Sequence, residues 1–143
     1  MNSIRHTYFY QQAPAAVWAY LTEAELLAQW LMPNDFRPEI GHEFTFRTRP
    51  MPAFDFDGIV YCKVLELQPY KRLSYSWKGG PRPGEITLDT LVEWELHEKD
   101  NGTELRLNHS GFQDRNTMIF GIMDGGWLKN MGEIATLLNK ATV

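Results

Sequence analysis

Near the C-terminus, apolar residues recur at helical spacing. Trp127, Leu128, Met131, Ile134, Ala135 and Leu138 form one broad stripe, with Lys129, Glu133, Thr136 and Lys140 on the other side. That is the pattern of an amphipathic helix that needs a surface to cover it. It can be carried back through Met123, Phe120 and Ile119 towards Asp114, which predicts a helix on the order of 25 residues, longer than the usual three turns. Four glycines interrupt this run, Gly121, Gly125, Gly126 and Gly132. Each costs about 1 kcal/mol relative to alanine in a helix interior. Two readings follow: the regular helix starts near Gly126 behind a looser segment, which is preferred, or the missing side chains leave room for a ligand or a partner's backbone.

Upstream the period changes from 3.6 to 2. Leu73, Tyr75 and Trp77 alternate with Ser74 and Ser76. Val92, Trp94 and Leu96 are opposed by Glu93, Glu95 and His97, and Leu105, Leu107 and His109 by Glu104, Arg106 and Asn108. Such alternation marks strands with one buried face. Residues 3 to 11 read as a first strand, Gly41 opens another carrying Phe44 and Phe46, and Phe54 to Leu67 reads as a long strand in which Gly58 marks a bulge or a close approach. Turns fall at Pro69-Tyr70-Lys71-Arg72, at Asp100-Asn101-Gly102 and in the proline-rich loop Gly79 to Gly84. Between the first two strands, Pro14 suits the first turn of a short helix carrying Val17, Trp18 and Leu21. Thr22 with Glu25 has the spacing of a capping box for a second, Glu23 to about Trp30, which Pro33 ends. The order is strand, two short helices, about five antiparallel strands and a long helix. This is an α+β fold in which the helix lies in the palm of a curved sheet.

With 143 residues and 43% hydrophobic content, the chain fits one domain, residues 1–143. A formal charge of -4 with mixed signs gives no footprint for nucleic acid or an anionic membrane. No apolar run approaches the roughly 18 to 20 residues of a membrane span, and the N-terminus lacks the apolar stretch of a signal peptide, so a cytoplasmic location is expected. Cys62 is the only cysteine, which excludes an internal disulfide and a thiolate cluster. His6, His42, His97 and His109 are too scattered to assemble a metal site. No nucleophile elbow, zinc-protease helix, Walker loop or dinucleotide fingerprint is present, and no cofactor is called for.

Five tryptophans, six tyrosines and eight phenylalanines imply a large-residue core or an apolar ligand cavity. The candidate wall comprises Trp30, Phe44, Phe46, Tyr75 and Trp77 from the second short helix and the strands. Trp127 and Met131 come from the gripping face of the long helix, and Phe120 and Met123 form a movable lid segment. Trp94 also fits the wall or plain core. His109 shares a face with Leu105 and Leu107, so its imidazole is expected to point towards the long helix. There it either orients a ligand's polar group and acts as acid or base, or is a core histidine satisfied by a carbonyl or a tryptophan. Arg47, Tyr61, Glu93 and Asp124 could supply polar anchors, but the pattern reads them as ordinary surface residues, with Glu93 facing solvent and Asp124 favouring a helix start.

Several segments in order carry a resemblance. These are Trp30 with Pro33, Gly41, the run Val64-Leu65-Glu66-Leu67-Gln68-Pro69-Tyr70-Lys71-Arg72-Leu73-Ser74-Tyr75-Ser76-Trp77, then Gly102 to Phe112, and Gly126-Trp127-Leu128 with Leu137-Leu138. Together they resemble the domain named after the C-terminal half of the activator of the ninety-kilodalton heat-shock chaperone's ATPase, within the START-like, birch-pollen-allergen-like superfamily. The resemblance covers nearly the whole chain and implies a helix-grip fold, with a curved antiparallel sheet, two short helices bridging one end and a long C-terminal helix closing a cavity. The superfamily's functions include lipid and steroid carriage, polyketide cyclisation, hormone reception, drug sequestration and chaperone activation, so fold does not select among them. The expectation is a protein that holds a hydrophobic or aromatic small molecule. The alternatives are a cyclase, dehydratase or hydrolase with His109 as acid or base and Arg47 or Tyr75 as polariser, and an interaction module regulating a chaperone. A homodimer through an exposed strand edge is a further expectation.

Overall fold

A computed structural model describes residues 3–141. Met1 and Asn2, part of the N-terminal stretch that lacks a signal-like apolar run, lie outside the described residues. Six strands form one antiparallel sheet: β1 (Ser3–Tyr10), β2 (Glu43–Arg47), β3 (Ile59–Gln68), β4 (Arg72–Gly79), β5 (Leu88–Lys99) and β6 (Gly102–Ser110). Their order across the sheet is β1-β6-β5-β4-β3-β2. Between β1 and β2 stand the short helices α1 (Pro14–Thr22) and α2 (Ala24–Trp30), and after β6 comes α3 (Thr117–Ala141). This is the α+β helix-grip arrangement.

The two-residue period decides which face is buried. Inward residues lie in rows across the sheet: Ile4 pairs with His109, His109 with Val92, Val92 with Tyr75 and Tyr75 with Val64, all of them buried. The opposite face carries Arg106, Glu95, Arg72 and Glu66, whose alternating charges face one another from strand to strand. Asp100 and Asn101 both take positive φ, the requirement of the two-residue hairpin between β5 and β6.

Helix α3 is docked unevenly. Its buried residues, Trp127, Met131, Ile134 and Leu138, all lie in its C-terminal part, where burying each side chain contributes about 1.5–3 kcal/mol. The Tyr10 hydroxyl donates to the Met131 carbonyl at 2.7 Å and ties that part to β1. The stretch from Thr117 to Gly126 has no fully buried residue.

Three local expectations are corrected. Regular helix does not start near Gly126; it runs unbroken from Thr117, because the turns through Gly121, Gly125 and Gly126 continue an anchored helix. Thr22 does not cap α2: its hydroxyl donates to the Trp18 carbonyl, and Glu23 holds the cap position, its carbonyl accepting from Leu27 N–H. The long strand does not begin at Phe54, which belongs to a 3-10 turn, Pro52–Phe54. Gly58 is a close approach rather than a bulge: at φ +90°, any Cβ there would meet the Thr48 carbonyl. The register shift lies further on, between Val64 and Glu66.

Candidate functional site

A cleft of about 540 Å³ opens between the N-terminal stretch of α3 and the loops at one end of the sheet. Trp77 and Val60 come from the sheet, Leu88 from the start of β5, and Trp127 from α3. One side is the β2–β3 connection, with Met51, Phe54 and Phe56, which the proline-interrupted segment folds into a 3-10 turn closed by a Met51–Phe56 bridge. Leu31 and Met32, just past α2, add to it. The roof is α3, presenting Met118, Ile119, Ile122, Met123 and Gly126 at helical spacing. Met118 is 64% exposed and Ile122 46%.

At the helix start Ile119, Phe120 and Met123 pack half-buried against the core. Asn116 accepts from Gln113 N–H and donates to the Thr87 carbonyl at 2.9 Å, tying α3 to the β4–β5 loop. Phe120 packs edge-on against Phe112, with centroids 4.9 Å apart. His6 Nε2 lies 2.8 Å from Asp124 Oδ1 and 3.0 Å from the Asp124 carbonyl, a clip between β1 and the helix. A Cβ at Gly121, Gly125 or Gly126 would meet nothing within 4 Å.

Of the residues named from sequence, Trp77, Met123 and Trp127 line this cleft. The others pack around or behind it. Phe44, Phe46 and Tyr75 form an aromatic cluster with Phe36. Trp30 meets Trp94 edge-on and donates its indole N–H to the Tyr20 carbonyl. Trp94 donates to the Tyr75 hydroxyl at 3.0 Å, and burial pushes the Tyr75 phenol up. Met131 is fully buried, and Phe120 faces Phe112. Arg47, Tyr61, Glu93 and Asp124 do not line the cleft.

His109 points inward towards α3, but Trp77 and Trp127 stand around it. Trp127 Nε1–H donates to His109 Nδ1 at 2.9 Å, so the ring proton sits on Nε2, which donates to Thr90 Oγ1 at 2.7 Å. Thr90 in turn donates to the Trp77 carbonyl at 2.7 Å. Both ring nitrogens are thus used, and burial lowers the imidazole pKa to about 3. A neutral ring with no free nitrogen has nothing to offer a reacting proton at ordinary pH.

Sequence reasoning missed the apolar β2–β3 connection and the exposed pair Met118 and Ile122. The available signal was Met51, Ala53, Phe54 and Phe56 in a segment that begins at Pro50 and Pro52 and ends at Gly58, and two large apolar residues at i, i+4 outside the docked stripe.

With this geometry in place, comparison with known proteins identifies the lineage. The profile of the family described as Activator of Hsp90 ATPase homolog 1-like protein matches residues 11–139. The chain belongs to this family. Activator of Hsp90 ATPase homolog 1-like proteins share a fold that commonly binds hydrophobic ligands. The chain is similar to protein MLL2253 from Mesorhizobium loti, at 30% identity and a TM-score of 0.85, over 96% of this chain and 97% of that one. It is similar in fold to the Aha1 dimer from Colwellia psychrerythraea, at 21% identity and TM-score 0.79 over 96% of each chain. CalU16 from Micromonospora echinospora shares the fold at 20% identity and TM-score 0.72, over 95% of this chain and 73% of that one. No functionally curated protein matches the chain. No helix among the described residues is long and apolar enough to cross a membrane.

Proposed function

We propose that the protein holds a hydrophobic or aromatic small molecule in the cleft between the sheet and the N-terminal stretch of α3. The observation that carries this reading is the uneven docking of one helix. Its C-terminal part is buried, while its first ten residues turn Met118, Ile119, Ile122 and Met123 over an apolar hollow of about 540 Å³. That size falls within the range of small-molecule sites, and exposed apolar residues that share a hollow are better explained by an occupant than scattered ones are. The aromatic floor of Trp77 and Trp127, centroids 5.3 Å apart, suits flat ring systems. The sealed, doubly bonded His109 supports binding over the turnover alternative, which needed that imidazole as acid or base.

A thermal-shift screen with lipids, flavonoid-like aromatics and polyketides tests the proposal. A true ligand at about 100-fold excess over its Kd adds about 2.7 kcal/mol of stability. Gly126→Leu, whose side chain would enter the cleft, should fold and lose that shift. A shift of the same size in both proteins contradicts the reading.

A further inference from the structure

The indole N–H groups of Trp30, Trp94 and Trp127 are each bonded within the protein. Trp77 differs. Trp77 is 3% exposed, and its Nε1 is not sealed from accessible space. Phe46, His109 and Trp127 pack around the ring, at centroid distances of 5.3, 5.6 and 5.3 Å, and the cleft is the hollow that Trp77 lines. An indole N–H donates and cannot accept. With no protein partner among the described residues and some accessible surface, this N–H can donate to a ligand acceptor in place of water.

The charge pattern of the wall narrows the acceptor. Its only charged lining residues are Asp55 and Arg115, both exposed, with Arg115 on the 3-10 turn before α3. Neither is among the ring contacts of Trp77, which are Phe46, His109 and Trp127, and a carboxylate or phosphate set against that aromatic cluster would lose water without a counter-charge in contact. A neutral carbonyl oxygen carries no such penalty. The side-chain amide of Asn130, which also lines the cleft, is likewise unpartnered among the described residues, whereas that of Asn116 is used at both ends.

We infer that Trp77 is a specificity-determining residue, its indole N–H donating to a neutral carbonyl oxygen on a flat aromatic ligand, with the Asn130 amide as a second polar contact. The inference rests on the cleft being the binding site and names the ligand class, flat aromatic molecules that carry a neutral carbonyl oxygen.

The test uses a matched pair, 9-fluorenone and fluorene, which differ in the carbonyl. Equilibrium dialysis would measure both against the wild type, Trp77→Phe, which keeps an aromatic ring and removes the donor, and Gly126→Leu. The ratio of fluorenone to fluorene affinity should fall about 5- to 10-fold in Trp77→Phe. In the wild type, the Trp77 indole N–H resonance should move on adding fluorenone and much less on adding fluorene. An unchanged ratio with a static indole resonance overturns the role of Trp77 while leaving the cleft as the site, provided Gly126→Leu weakens both probes. Failure of both probes to bind the wild type overturns the site and this inference together.

Discussion

Trp127 reaches from α3 to His109 on β6, its Nε1–H donating to Nδ1 at 2.9 Å, and so fixes the tautomer of a fully buried imidazole. The consequence is a pH dependence of stability with a definite sign. In the unfolded chain this histidine titrates near the ordinary 6.5, while in the folded protein burial lowers its pKa to about 3. Between these values the unfolded state binds a proton that the folded state does not. The contribution is therefore complete above pH 6.5 and falls by about 1.4 kcal/mol per pH unit towards pH 3. Denaturant unfolding at pH 7.5 and 5.0 should show about 2 kcal/mol more loss in the wild type than in His109→Gln. The variant itself should be weaker by about 2–3 kcal/mol at pH 7.5, since Trp127 and Thr90 lose their partner. Equal losses in both proteins would contradict the buried neutral ring.

The glycines of the helix roof give a prediction of opposite direction. Because a Cβ at Gly125 meets nothing within 4 Å and its φ is not positive, Gly125→Ala should raise stability by about 0.5–1 kcal/mol. Amide exchange across residues 117–126 should slow in that variant, and slower ligand entry should accompany it if that stretch opens to admit the molecule. Destabilisation on thermal unfolding would show that the glycine serves a contact.

Asp124→Asn tests the clip to His6. The pair is partly exposed, at 19% and 50% for the two side chains, so its loss should change global stability by less than about 1 kcal/mol. Hydrogen exchange should nonetheless quicken in residues 117–126 and stay unchanged around Met131 and Ile134, where α3 is held by burial. Uniform quickening along the whole helix would mean that α3 moves as one body.

Core and cleft can be separated at Trp94, which is buried away from the cleft and bonded to Tyr75. Trp94→Phe should cost about 1–3 kcal/mol on denaturant unfolding, from lost volume and an unpaired hydroxyl, with ligand affinity within about 2-fold of wild type.

Strand alternation made the sheet legible: Leu73, Tyr75 and Trp77 had to share a face whatever they packed against, and His109 had to turn inward with Leu107. Positive φ at Asp100 and Asn101 follows from local chemistry alone. The site was less legible because it depends on what approaches from elsewhere. The sequence places His109 on the inner face, but its enclosure depends on the rotamers of Trp77 and Trp127. Likewise, the glycines lower intrinsic helix propensity at residues 121–126, and the anchoring of residues 127–138 outweighs that local tendency. The turn at Pro52–Phe54 takes its shape from the approach of Gly58 to the Thr48–Pro50 backbone, a contact between segments that no local pattern announces.

The methionines offer the most direct measurement of the central claim. Met32, Met51, Met118 and Met123 line the cleft, while Met131 is sealed in the core. With methionine methyl groups labelled with carbon-13, titration with 9-fluorenone should shift the four lining methyl resonances by ring current and leave that of Met131 nearly still. Shifts confined to Met131, or no methyl shift under conditions where the ligand binds, would contradict a site between the sheet and the start of α3.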